Sequence, residues 1–208
     1  MIKAVIFDMD GVLIDAKNWH FEALNKALDK FGYEISRHDH LTTYDGRPTR
    51  EKLEMLSEQD GLPRALHALI NGLKQKYTMQ LAQERCAPNF THRYALSKLK
   101  IEGYKIAVAS NSIAQSIRAM LSSAELVDYL EFFLSNEDVV RGKPDPEIYN
   151  KAIEKLGFES SECLIVEDNP HGIEAAKRSG AHVLEVFNVE DTNYENIINK
   201  IRLLECNK

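Results

Sequence analysis

Apolar residues in this chain follow two rhythms. Short apolar and β-branched runs predict strands at Ala4–Asp8, Lys105–Ser110, Phe132–Ser135, Glu162–Asp168 and His182–Val186. Between them, apolar residues recur at helical spacing. Tyr149, Ala152, Ile153 and Leu156 share one helical face, and Gly157 is placed to end that helix. Asp145 is its expected N-cap and Pro146 its expected first residue. A helix over Ile173–Ser179 is marked in the same way by Asn169, Pro170 and Gly180. Strands alternating with helices predict an α/β fold with a parallel sheet covered on both faces.

The alternation breaks between the first and second strands. Trp19, Ala23, Ala27 and Phe31 recur at i, i+4, and Gly32 follows. Leu53, Leu56, Leu66, Leu69 and Leu73 continue the helical pattern. Residues 16–87 therefore read as a helical insert, and residues 1–15 and 88–208 as the α/β core. The insert is expected to lean over the carboxyl ends of the strands.

Composition narrows the class. A chain of 208 residues, 44% of them hydrophobic, suffices for one core with a small insert. A net charge of −6 without a basic cluster argues against a nucleic-acid partner. Cys86, Cys163 and Cys206 have neither metal-ligand nor disulfide spacing, which suits a reducing cytoplasm. Met1 runs directly into a strand, so no signal peptide is expected. No apolar run approaches the roughly 20 residues that span a bilayer, so no membrane partner is expected.

The polar residues that end the strands carry the candidate chemistry. Asp8 and Asp10 stand at i and i+2, on one face, at a strand's carboxyl end, where ligands bind in open α/β sheets. Like charges that close call for a cation or a shared proton. That points to a metal, to a nucleophile with an acid–base partner, or to both. Ser110-Asn111-Ser112, Gly142-Lys143-Pro144-Asp145 and Glu167-Asp168 follow later strands, and a parallel sheet would gather all of them. Oxygen-only donors suit Mg²⁺. A lysine and a hydroxyl suit phosphate oxygens. An aspartate can attack phosphorus, and a second carboxyl can protonate the leaving oxygen and then activate water. Phosphoryl transfer through a covalent aspartate accounts for the whole set.

In this order the motifs resemble those of the haloacid dehalogenase superfamily of phosphotransferases. Asp8-Met9-Asp10-Gly11-Val12 looks like its first motif, Ser110 its second, Lys143 its third and Glu167-Asp168 its fourth. Val12-Leu13-Ile14-Asp15 and His20-Phe21-Glu22-Ala23 further resemble the β-phosphoglucomutase-like phosphatases. The resemblance implies a Rossmann-like core with a small helical cap inserted after the first strand. It implies Asp8 as nucleophile and Asp10 as acid–base, with Ser110, Asn111 and Lys143 on the transferring phosphate. It implies Mg²⁺ held by Asp8, Asp10 (through its carbonyl) and Asp168, with Glu167 as ligand or neighbour. Substrate choice falls to the cap, with His20, Arg47, Thr49 and Arg50 as candidates, and Lys74 or Lys76 beside them. His171 is a further residue near the mouth.

The implied partner is a small phosphorylated metabolite, first of all a sugar phosphate; oligomeric state is not readable. Hydrolysis is preferred to a mutase reaction. Ile113-Ala114 replaces the Lys-Asn pair of the mutase pattern, Ala16 its hinge threonine, and Cys86-Ala87-Pro88-Asn89-Phe90 lacks its Pro-Gly. The dehalogenase branch is disfavoured, because hydrolysing a haloacid needs no Mg²⁺. A third reading, a catalytically inactive binding module on the same fold, stays open.

Overall fold

The computed structural model describes residues 1–44 and 46–206. Asp45, inside the stretch Tyr44–Arg50 that holds cap candidates, lies outside the described residues. The chain forms two compact units, one of Met1–Asp15 with the chain from Cys86 on, the other of Ala16–Arg85. In chain order, β1 (Ala4–Phe7) leads into α1 (Lys17–Leu28), the single turn α2 (Arg37–Asp39), α3 (Thr49–Asp60) and α4 (His67–Arg85). The core resumes with α5 (Phe90–Ile101), β2 (Lys105–Ala109), α6 (Ala114–Ser123), β3 (Phe132–Leu134) and α7 (Glu147–Leu156). It ends with β4 (Cys163–Glu167), α8 (Pro170–Arg178), β5 (His182–Glu185) and α9 (Tyr194–Cys206).

The five strands pair in the order β3-β2-β1-β4-β5, and every pairing is parallel. β1 is central, and its four residues are wholly buried, as its unbroken apolar run requires. The order reverses direction at β1, so the crevice of an open α/β sheet falls at the carboxyl ends of β1, β2 and β4. One face of the sheet, Ile6, Ala109 and Ile165, packs on Ile148, Tyr149, Ala152 and Ile153 of α7 and on Ala175 and Ala176 of α8. The alternate residues Val5, Phe7, Val108, Leu164 and Val166 are equally buried.

Each strand stops one residue short of its expected carboxyl end. Asp8, Ser110 and Val186 lie just beyond the ladder, yet each still donates its N–H to a neighbouring strand, to Val166, Leu134 and Glu167 carbonyls at 3.0, 3.0 and 2.9 Å. At Asp8 and Ser110 the polar residue is thus held by its backbone beyond the ladder. The start of α7 also shifts. Pro146 occupies the N-cap position in place of Asp145, and Asp145 Oδ1 accepts the Glu147 N–H at 3.1 Å. In α8 the expected cap is present, with Asn169 Oδ1 accepting from the His171 N–H at 3.0 Å.

The unit Ala16–Arg85 has its own core: Leu24, Ala27, Leu28, Ile35, Tyr44, Leu53, Leu56, Leu62 and Ile70. Asn25 clamps the link after α1, donating to the Ile35 carbonyl at 2.8 Å and accepting its N–H at 2.9 Å. Arg85, the last residue of α4, bonds to Glu22 in the middle of α1 at 2.6 and 3.0 Å. One expected position differs. The buried stripe of α4 passes through Ile70, and Leu69 is 53% exposed. Leu66, Ile70, Leu73 and Tyr77 form the packed face at i, i+4, i+7, i+11, and Leu66, Leu69 and Leu73 satisfy the same helical period one position to the side.

Ile70→Ala is expected to cost about 2–5 kcal/mol by removing buried side-chain volume. Leu69→Ala, on the exposed side of the same turn, is expected to stay within about 0.5 kcal/mol. Urea unfolding of the two variants checks the assignment, and equal losses would contradict it.

Candidate active site

Four carboxyl-terminal strand ends and the loops after them build one polar cluster. Asp8 follows β1 directly, and Gly11, with φ of 93°, reverses the chain beyond it. Only a residue without a Cβ adopts that backbone freely. The Gly11 N–H donates to the Ile14 carbonyl at 2.7 Å, and the Leu13 and Ile14 N–H groups donate to the Met9 carbonyl at 3.0 and 2.9 Å. This tight turn fixes Asp10 beside the loop after β2. Ser112 Oγ donates to Asp10 Oδ2 at 2.8 Å, and Ser110 Oγ lies 3.5 Å from the same oxygen. Ser110 Oγ also accepts the Ser112 N–H at 3.1 Å, which ties the two hydroxyls together.

Lys143 enters from the loop before α7. Its Nζ donates to Asp8 Oδ1 at 2.6 Å and to Glu167 Oε1 at 2.7 Å. Two supports place that loop. Asn111 Oδ1 accepts the Lys143 N–H at 3.2 Å. Glu147, in the first turn of α7, accepts the Val140 and Arg141 N–H groups, both at 3.0 Å. These bonds, and then Lys151, bring the Glu147 carboxyl down to about 2.

Glu167 ends β4 and is almost fully buried. Its Oε1 accepts from Lys143 and from the Tyr149 hydroxyl, the latter at 2.8 Å. Its Oε2 accepts the N–H groups of Asp168 and Asn169 at 2.8 and 3.0 Å. Gly172 makes room for it: a Cβ at that position would lie 1.7 Å from Glu167 Oε1.

The electrostatics ask for positive charge. Burial raises the Asp8 carboxyl well above its ordinary value against the pull of Lys143, and Glu167, Asp10 and Asp168 raise it further. Burial disfavours the charge on Lys143, yet Asp8 and Glu167 outweigh it and keep the ammonium protonated beyond its ordinary range. Asp8, Glu167 and Asp168 each offer a carboxylate oxygen, all within 4.8 Å of one another. An all-oxygen set with more carboxylates than ammonium groups fits a hard divalent cation such as Mg²⁺.

Asp8, Asp10, Ser110, Asn111, Lys143, Glu167 and Asp168 therefore come together in the core unit. The cap candidates fall in the other unit, while His171 lies in the first turn of α8 in the core unit. His20 Nδ1 lies 3.3 Å from Lys74 Nζ. Arg47 donates from Nε to the Thr43 carbonyl at 2.8 Å and stands 3.7 Å from Glu51. Thr49 opens α3, with Arg50 exposed beside it. Sequence reasoning gave two site residues no role of their own. Ser112 was legible as a second hydroxyl two residues after Ser110. Tyr149 was counted only as a core face, because its hydroxyl gives no periodic signal.

The family model of haloacid dehalogenase-like hydrolases matches residues 5–186. A phosphorylated carbohydrates phosphatase of Thermotoga maritima is 31% identical over 182 residues, which cover 86% of this chain and 82% of the relative. A phosphoglycolate phosphatase of Aquifex aeolicus is 30% identical over 179 residues, covering 86% and 82%. Among solved structures, β-phosphoglucomutase from Clostridium difficile superposes with a TM-score of 0.85 at 23% identity, over 99% of this chain and 100% of that one.

Two outcomes follow from the supports. Gly172→Ala is expected to cost about 1–3 kcal/mol in denaturant unfolding, because its Cβ would collide with a fixed carboxylate. Glu147 stabilises the fold only while ionised, so its contribution is present above its ordinary value of 4.5 and is lost as pH falls through about 2. The gap in thermal midpoint between the native protein and Glu147→Gln should therefore be full at neutral pH and close between those limits. A gap that grows on acidification would contradict this.

Proposed function

This chain belongs to the haloacid dehalogenase-like hydrolases and is a phosphoric monoester hydrolase; on that premise we propose that it is a Mg²⁺-dependent phosphatase of small phosphorylated carbohydrates that works through an aspartyl-phosphate on Asp8. The observation that carries the reading is the Lys143 ammonium, bonded at once to Asp8 and Glu167 within a cluster completed by Asp168. The names of the relatives supply the substrate class, a phosphorylated carbohydrate or a small phosphorylated acid.

The roles divide as follows. Lys143 holds Asp8 by Oδ1, which stops the carboxylate from rotating and aims it at phosphorus. An Asp8 oxygen bonds to phosphorus as the sugar oxygen departs, and Asp10 gives that oxygen its proton. Asp10, now a carboxylate, takes a proton from water. The resulting hydroxide attacks phosphorus, the bond to Asp8 breaks, and inorganic phosphate leaves. Ser110 and Lys143 donate to the phosphoryl oxygens in both steps. Ser112 steadies Asp10 between them. Mg²⁺, held by Asp8, Asp168 and the Asp10 carbonyl, would neutralise the transferring group. Glu167 already accepts from donors at both oxygens, so its role is to hold Lys143. His20, Arg47, Thr49 and Arg50 remain the proposed contacts for the rest of the substrate.

Phosphate release from a panel of phosphorylated sugars, polyols and nucleotides tests the proposal. Activity should vanish with a chelator and return with Mg²⁺. Asp8→Asn should lose at least about a thousandfold in kcat. Flat rates across the panel would remove the carbohydrate assignment. Conversion of β-glucose 1-phosphate into glucose 6-phosphate with no phosphate released would replace hydrolysis by a mutase reaction.

A further inference from the structure

Tyr149 makes a contact that the proposed steps leave unused. It lies in the first half of α7, completely buried, among the apolar residues that seat this helix on the sheet. Packing alone asks only for a ring at this position, and a buried hydroxyl is costly unless it finds a partner. The Tyr149 hydroxyl donates to Glu167 Oε1 at 2.8 Å, the same oxygen that accepts from Lys143 Nζ at 2.7 Å. The Lys143 ammonium also lies 4.7 Å from the centre of the Tyr149 ring. One side chain thus meets the acid with its hydroxyl and the ammonium with its face. Burial, and after it the charges of Glu167 and Asp8, raise the phenol far above its ordinary value, so the hydroxyl keeps its proton and remains a donor.

We infer that Tyr149 is a positioning residue of this site, placing Lys143 toward Asp8 by sharing Glu167 Oε1 with it and by backing the ammonium with its ring. The inference rests on the phosphatase reading for its effect on rate, but its geometric content stands apart from activity. Without the hydroxyl, Lys143 is the remaining side-chain donor recorded at Oε1, and the ammonium is drawn from Asp8 toward Glu167. The loss falls on the charge that Lys143 must meet in the transition state, so kcat suffers more than KM.

The test compares the native protein, Tyr149→Phe, Glu167→Gln and the double variant with p-nitrophenyl phosphate and Mg²⁺, alongside thermal unfolding. Tyr149→Phe keeps the ring and should stay folded, with kcat lower by about tenfold and KM within about twofold. In the Glu167→Gln background, removing the hydroxyl should cost less than about twofold more, because both changes act through one oxygen. An unchanged kcat in folded Tyr149→Phe, or losses that simply multiply in the double variant, would overturn the inference. A native protein that releases no phosphate defeats the phosphatase reading instead. Crystal structures of the native protein and Tyr149→Phe then still decide the geometry: Lys143 Nζ should move away from Asp8, and an unmoved Nζ would overturn the inference.

Discussion

The site depends on one ammonium shared by two buried carboxylates. Asp8, Asp10, Glu167 and Asp168 crowd the carboxyl ends of β1 and β4, and taking such charges out of water is costly unless each is paired. Lys143 offsets part of that cost, and everything around it serves to place it. Asn111 and Glu147 fix its loop. Glu167 receives it through an oxygen also bonded to Tyr149, while two backbone N–H groups hold the other oxygen. Remove Lys143 and the acids repel one another across the centre of the sheet.

The parallel sheet makes this possible because it delivers each strand's carboxyl end to the same edge. In-register pairing sets Phe7 level with Val108 on one side and Val166 on the other. One residue further along, β1 and β4 reach Asp8 and Glu167, and β2 reaches Ser110 after one more apolar residue, Ala109. Chain reversal at Gly11 brings Asp10 back to Ser112. A short list of local turns, each with its own backbone bonds, therefore turns a sheet edge into a reaction site.

Much of this was legible in the sequence, for a physical reason. A fully buried strand reads as an apolar run, and the point where it must become polar is the sheet edge. Asp8, Ser110 and Glu167 announce themselves in that way. In β1, β2 and β5 the strand limits were one residue too long because backbone bonding persists into the edge residue after the ladder has ended; after β3 and β4 the N–H groups of Ser135 and Asp168 turn to carboxylates instead. Asp145 failed as the N-cap because Pro146 takes that position. The helical unit was less legible. Its stripe runs through Ile70, and a leucine one position earlier fits the same periodicity nearly as well. Charged residues there, such as Arg47 and Arg50, stand on surfaces where solvation alone would put a charge. Tyr149 was hidden differently, since its ring satisfies the packing pattern and masks the polar contact made by its hydroxyl.

The order of these residues along the chain has a consequence for biosynthesis. Lys143 follows Asp8 by 135 positions. A ribosome adding about 5–20 residues per second needs about 7 to 27 s to cover that distance. The helical unit and β2 are complete in the meantime, while β1 still lacks its β4 neighbour and Asp8 its counter-charge. β1, translated before the two strands that flank it, is thus enclosed only after β4 is made, and its carboxylate must wait in water for a lysine not yet made.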